Sequence, residues 1–90
     1  MKREEAERLR APIAHAEQAA ALAVVPLVCA HGAQGAIGAV AVVLGKMVAG
    51  AHAQGLLEGS VAENMARIEA LIGCGLHEQV TQNNVRAGRA

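Results

Sequence analysis

The chain has 90 residues, a formal net charge of zero, and no Phe, Tyr or Trp. This length allows one domain and excludes large catalytic scaffolds such as doubly wound sheets or (β/α)₈ barrels. Because the chain has neither a basic surplus nor aromatic stacking groups, we expect no nucleic-acid partner. No catalytic motif is complete, which favours a non-enzymatic protein.

The composition predicts a thin hydrophobic core. Hydrophobic residues make up 53% of the chain, but many of them are Ala, which removes little apolar area from water. Aromatic side chains normally dominate core energetics, and none is present. A monomer of this size would therefore be marginally stable, and we expect neighbouring copies to supply the missing apolar surface. The first functional expectation is a homo-oligomer or polymer.

The first 17 residues form the most charged zone, with eight of the sixteen charged residues. Glu4 and Arg8 have the i,i+4 spacing that supports an exposed helix. Pro12 disfavours helix at the residue before it and suits the first turn of a new one, which predicts a break near residue 11. A second helix is expected from about 12 to 25, with a kink or restart at Pro26.

Residues 18–45 contain no formal charge. The apolar runs 22–29 and 39–44 are compatible with either a buried strand or a buried helix, and the density of Ala favours helix. The uncharged stretch is also long enough to cross a bilayer, so a membrane-inserted helical protein, with 19–45 or 36–57 inserted, is the alternative. His31, Gln34 and the lack of interfacial aromatic residues weigh against it.

Two sides of the helix predicted over 36–56 differ in the size of their side chains. Larger apolar residues follow spacings of three and four on one side. A small-residue ridge repeats every four residues on the other, and such a ridge lets helix backbones approach closely. This ridge is the first predicted contact face, and it comprises Ala41, Gly45, Ala49 and Ala53.

The last third of the chain carries the clearest helix signal. Ser60 and Glu63 have the spacing of a capping box at a helix start. The apolar positions that follow, spaced by four, three and four, form an amphipathic stripe and the second predicted contact face. This stripe comprises Val61, Met65, Ile68 and Ile72. The helix is expected to end near residue 73 and resume briefly, and 81–90 are expected to form a flexible polar tail.

Two cysteines and two histidines offer a weak metal hypothesis. Cys29 and His31 are close in sequence, as are Cys74 and His77, and zinc accepts a Cys₂His₂ set. Neither pair contains the usual Cys-x-x-Cys spacing, so two free thiols and no cofactor are expected instead. A metal- or ligand-binding helical bundle remains the other alternative.

These patterns together predict an all-α protein with a single helical domain over residues 1–80. It is expected to be a small helical hairpin, or a bundle of three to four helices, that packs through Ala/Gly-rich faces and is completed by self-association. The N-terminal segment lacks a secretory signal and a lipidation motif, so a cytoplasmic location is favoured over secretion. The expected function is that of a structural or interaction subunit that assembles with copies of itself.

Overall fold

The computed structural model describes residues 3–88, and within them the chain is helical with no strand. Helix α1 spans Arg3–Arg10, a 3₁₀ turn spans Ala11–Ile13, helix α2 spans Ala14–Ala53, and helix α3 spans Val61–Arg86. The all-α prediction is confirmed. Residues 1–2 of the predicted domain and 89–90 of the predicted tail lie outside the described residues.

The predicted break near residue 11 coincides with the 3₁₀ turn, which contains Pro12. Acidic residues occupy the first turn of α1 and basic residues its last turn, which complements the helix dipole. Arg10 ends α1 and lies next to the turn, so its side chain is placed where α1 meets α2. Helix α1 packs against α3.

Helix α2 is interrupted at Gly32 and not at Pro26. Gly32 has φ 76° and ψ 166°, a conformation outside the helical region, whereas Pro26 lies inside the helix. The helix does not restart at Pro26, which keeps helical backbone angles. The interruption lies at Gly32 instead, because a positive φ is accessible mainly to glycine. Gly32 divides α2 into a first arm (14–31) and a second arm (33–53).

The turn between α2 and α3 is built on glycine and on a helix cap. Gly55 and Gly59 have positive φ values of 71° and 83°. Ser60 then caps α3 with the predicted capping box, because the Glu63 backbone N–H donates to Ser60 Oγ and the Ser60 N–H donates to the Glu63 carboxylate. Helix α3 runs without interruption to Arg86 and does not end near residue 73. The flexibility of the tail stays a prediction.

The single chain is open. Its radius of gyration is 14.8 Å, against about 12 Å for a compact domain of this length. Its accessible surface is 7025 Å², against about 4,900 Å² for a compact monomer of its mass. Ala36 and Val48 are the buried apolar residues of the described chain. One chain therefore does not confirm a closely packed bundle of three or four helices.

Candidate interaction site

The side of α3 that packs within the chain is a mixture of polar and apolar residues. Asn64 is buried, and Arg67, Leu71 and Cys74 are half-buried. These positions are spaced by three and four residues, so they lie on one side of the helix. The intramolecular contact of α3 thus combines Leu71, and Ile68 at its border, with the polar side chains of Asn64 and Arg67.

The α3 stripe, formed by Val61, Met65, Ile68 and Ile72, lies on a different side of the helix. Its centre is displaced from the packed side by roughly a third of a turn, as follows from about 3.6 residues per turn. Val61 is 46% exposed, Met65 47% and Ile72 62%, while Ile68 lies at the border and is half-buried. The stripe predicted as a contact face is therefore largely uncovered in one chain.

The second arm of α2 keeps the two sides that its sequence predicts. On the larger apolar side Leu44 is half-buried, whereas Ile37 is 69% and Met47 63% exposed. The buried Val48 lies between that side and the small-residue ridge, as follows from about 3.6 residues per turn. The larger apolar side is therefore only partly covered. The four residues of the small-residue ridge are all exposed.

Within the described chain, no residue packs against Gly45, the glycine of the small-residue ridge. A Cβ added to Gly45 would meet no atom within 4 Å, and the same holds for Gly38 and Gly50 in the same arm. Within one chain the small residues therefore do not serve a close helix contact. Packing through Ala/Gly faces stays a prediction about the assembly.

A second feature joins the three helical segments: the Arg10 cluster, formed by Arg10, Glu17, Cys74 and Glu78. The guanidinium donates to both carboxylates, with Nε 2.9 Å from Glu17 Oε2 and Nη2 3.1 Å from Glu78 Oε1. Nη2 also donates to Glu17 Oε1 and Nη1 to Glu78 Oε2. Nη1 is 3.7 Å from the Sγ of Cys74. A guanidinium matches such two-point contacts with carboxylates in geometry as well as charge.

The electrostatics of the cluster follow from these bonds. Hydrogen bonds from Arg10, and then its charge, hold the pKa of Glu17 below its ordinary value, and partial burial opposes them. The same bonds lower the pKa of Glu78, although the nearby charge of Glu17 acts in the opposite direction. Hydrogen bonds to Glu17 and then Glu78 raise the pKa of Arg10, which keeps the guanidinium charged. Arg10, Glu17 and Glu78 are therefore all charged at neutral pH.

A third group of polar contacts fixes the turn at residues 54–60. The Nδ2 of Asn64 donates to the carbonyl oxygens of Glu58 at 3.0 Å and Ser60 at 2.9 Å. Arg67 Nη1 donates to the Glu58 carbonyl oxygen at 3.2 Å and to Asn64 Oδ1 at 3.1 Å. Asn64 is therefore a buried polar residue with each of its polar atoms satisfied.

The four residues of the zinc hypothesis do not form a ligand group. Among the described residues no three His, Cys, Asp or Glu side chains come together in a way that could hold a metal ion. Cys29 and Cys74 are free thiols, the first exposed and the second half-buried. Zinc binding through Cys29, His31, Cys74 and His77 stays a prediction without support from this geometry.

Sequence reasoning missed the Arg10 cluster. Glu17 and Glu78 occupy positions where solvated helix residues are expected, and Arg10 is separated from Glu78 by 68 residues. No local spacing rule connects positions so far apart. The only signal was that Arg10 precedes a proline break, where the chain changes direction and a side chain reaches several elements.

One stretch is long and apolar enough to cross a membrane. It runs over Glu7–Ala53 and contains a window with mean hydropathy 1.8, of which 6% is buried in the chain. A signal sequence or a core helix passes the same test of length and composition. Comparison of the chain with family models, with curated proteins and with solved structures found no match.

Proposed function

We propose that this protein is a small, non-enzymatic helical subunit that works by assembling with copies of itself. The observation that carries the proposal is the exposed area of the single chain. At 7025 Å², it exceeds that of a compact monomer of equal mass by about 2,100 Å². Much of this excess is apolar, because large aliphatic side chains of α2 and α3 are more than half exposed.

The excess matches what a permanent interface requires. Obligate homodimers bury roughly 2,000–5,000 Å² in total over both partners. If each of two chains buried its excess accessible surface against the other, the interface would bury about 4,000 Å² in total, which lies inside that range. Monomers rarely leave a contiguous apolar patch of more than a few hundred Å² in water. A second copy therefore accounts for the area without any further component.

The two predicted contact faces supply complementary shapes for this assembly. The small-residue ridge is flat enough for a helix backbone to approach, and the α3 stripe offers the larger aliphatic side chains. Both faces are open in the single chain. Close packing of large residues against small ones gives interiors their usual density.

A membrane-inserted chain is the second candidate, favoured by the hydropathy of the segment Glu7–Ala53. The bend at Gly32 weighs against it. A residue with φ 76° and ψ 166° interrupts the backbone hydrogen-bond ladder near the middle of the uncharged stretch. Each backbone group left unpaired in lipid costs several kcal/mol, whereas water or a partner chain satisfies it.

The first test is the mass of the purified protein in water. Sedimentation velocity without detergent is expected to give a multiple of 9.2 kDa at micromolar concentration. A compact 9.2 kDa species across a wide dilution range would contradict the proposal. Recovery of the chain only in the membrane pellet, with release by detergent, would favour the membrane candidate.

A matched pair of variants tests the ridge. Gly45→Leu is expected to weaken assembly, because a bulky side chain prevents close approach of a second helix. A Cβ at Gly45 meets no other part of the single chain within 4 Å. Because Leu is a better helix former than Gly by roughly 0.5–0.8 kcal/mol, helicity is expected to be maintained. The control is Gly73→Leu on α3, outside the stripe, where an added Cβ also meets no atom within 4 Å. This substitution should leave the mass of the assembly unchanged.

A second pair tests the stripe. Ile72→Lys places a charge on a face that the proposal buries, and it should shift the assembly toward monomer. Val85→Lys introduces the same charge at an equally exposed position, 58% against 62%, near the end of α3. Equal effects of the two substitutions on the sedimentation profile would exclude the stripe as an interface.

A further inference from the structure

We propose that the Arg10 cluster is a latch, sensitive to acid and to salt, that holds α3 against the start of α2 and opens this end of the chain when Glu17 or Glu78 loses its charge. The inference concerns contacts within one chain. It therefore stands or falls independently of self-association.

The position of the cluster gives it this role. Helices α2 and α3 are covalently joined through the turn at residues 54–60, which lies at the opposite end of α3 from Glu78. Arg10 joins α3 to the preceding segments through Glu78 and Cys74, and it holds the first turn of α2 through Glu17. The cluster and the turn therefore secure α3 at two separate points.

The contacts are charge-based and accessible to water. The side chain of Arg10 is 22% exposed, while those of Glu17 and Glu78 are 45% and 49% exposed. Pairs of this kind contribute modestly and are weakened by salt, because ions screen charges over about 3 Å at 1 M ionic strength. A latch built from them opens more readily than a buried apolar contact.

The direction of the pH effect follows from the two carboxylates. Each has a pKa below its ordinary value of 4.5 in the folded chain. Their contribution is therefore complete above pH 4.5 and is lost as the pH falls through the lower folded values. The groups that face Arg10 are Glu17 from α2 and Cys74 and Glu78 from α3, and Glu7 precedes it by one turn on α1.

The two native cysteines report on the latch. Cys74 is half-buried beside Arg10, whereas Cys29 is exposed on the first arm of α2 and serves as an internal reference. A pyridyl disulfide, which reacts with thiols even in acid, is expected to modify Cys74 several-fold more slowly than Cys29 at pH 7. The ratio of the two rates should approach one well below pH 4.5, where the two carboxylates lose their charge, and also in 1 M sodium chloride at pH 7.

Variants separate the latch from general destabilisation. Arg10→Gln is expected to bring the ratio near one at pH 7 and to remove its response to acid and salt. Arg8→Gln, which removes an exposed charge two residues away, should retain both responses. A ratio that stays constant from pH 7 to pH 3 and in high salt, or a Cys74 that stays slow in Arg10→Gln, would overturn the latch.

The response to salt also distinguishes a failure of the latch proposal from a failure of the proposed assembly. Salt weakens ion pairs by screening their charges, whereas apolar association has no charge to screen. A chain that proves monomeric would still show the Cys74 response if the latch exists. If the chain assembles but the rate of Cys74 modification changes neither with salt nor in Arg10→Gln, the latch does not exist.

Discussion

Two of the places where the chain changes direction are built in opposite ways. The turn at residues 54–60 is held by a capping box and by the Asn64 side chain, which together satisfy the Ser60 N–H and the carbonyl oxygens of Glu58 and Ser60. At the other bend, Gly32 has no side chain that could form such contacts, and the residues next to it are exposed.

The difference shows how each region is specified. Polar contacts have direction, so a few of them select one geometry for the turn at residues 54–60. Apolar contacts have no direction and need area, and the arms around Gly32 find little area inside one chain. The turn is therefore complete by itself, whereas the arms of α2 require a partner to cover them.

The largest effect is expected from Gly32→Ala. The conformation at Gly32 is accessible almost only to glycine, and an alanine held there would cost about 1–3 kcal/mol. Straightening α2 relieves this strain, and a continuous helix of 40 residues spans about 60 Å. Small-angle scattering of the monomer, at a dilution where it is populated, should therefore give a radius of gyration above 14.8 Å.

The control for this change is Gly38→Ala in the second arm. Gly38 lies inside the helix, and a Cβ there meets no atom within 4 Å. The substitution should stabilise the helix by about 0.8–1 kcal/mol and leave the overall dimensions unchanged. Equal dimensions for the two variants would mean that Gly32 does not determine the bend.

A smaller effect is expected from Asn64→Ala at the other change of direction. The substitution leaves the carbonyl oxygens of Glu58 and Ser60 without the Asn64 donor. Unmade hydrogen bonds at a buried site cost about 1–3 kcal/mol, so the urea midpoint should fall clearly. Asn84→Ala removes the same side chain at an exposed position of α3 and should change the midpoint little.

The smallest effect is expected from Ser60→Ala, which removes the side-chain half of the capping box at a cost of about 1 kcal/mol. Thermal unfolding followed by circular dichroism measures it, with Thr81→Ala in the C-terminal half of α3 as control. The N–H of Ser60, followed by its hydroxyl, lowers the pKa of Glu63 from its ordinary value of 4.5. The Glu63 half of the cap is therefore complete above pH 4.5 and is lost at lower pH. A Ser60→Ala variant as stable as the natural chain would contradict this account.

Sequence reasoning succeeded where the determinants are local. The capping box at Ser60 and Glu63, the break before Pro12 and the preference for helix over strand all depend on residues within about one turn of each other, and all three are present. It failed at Gly32, because several glycines in 32–38 are equally suited to a bend and only long-range geometry selects one. The position of Arg10 between distant carboxylates was hidden for the same reason.

The sequence by itself determined that this protein is helical, that its anchors are small aliphatic residues and where α3 begins, since propensity, composition and capping act over short distances. Only the tertiary structure decided which side of α3 packs inward, which left the α3 stripe in solvent, and which glycine bends α2. Those outcomes depend on contacts between residues far apart in the chain. There, ion pairs compete with the burial of apolar area, and no local sequence pattern predicts which arrangement is the more stable.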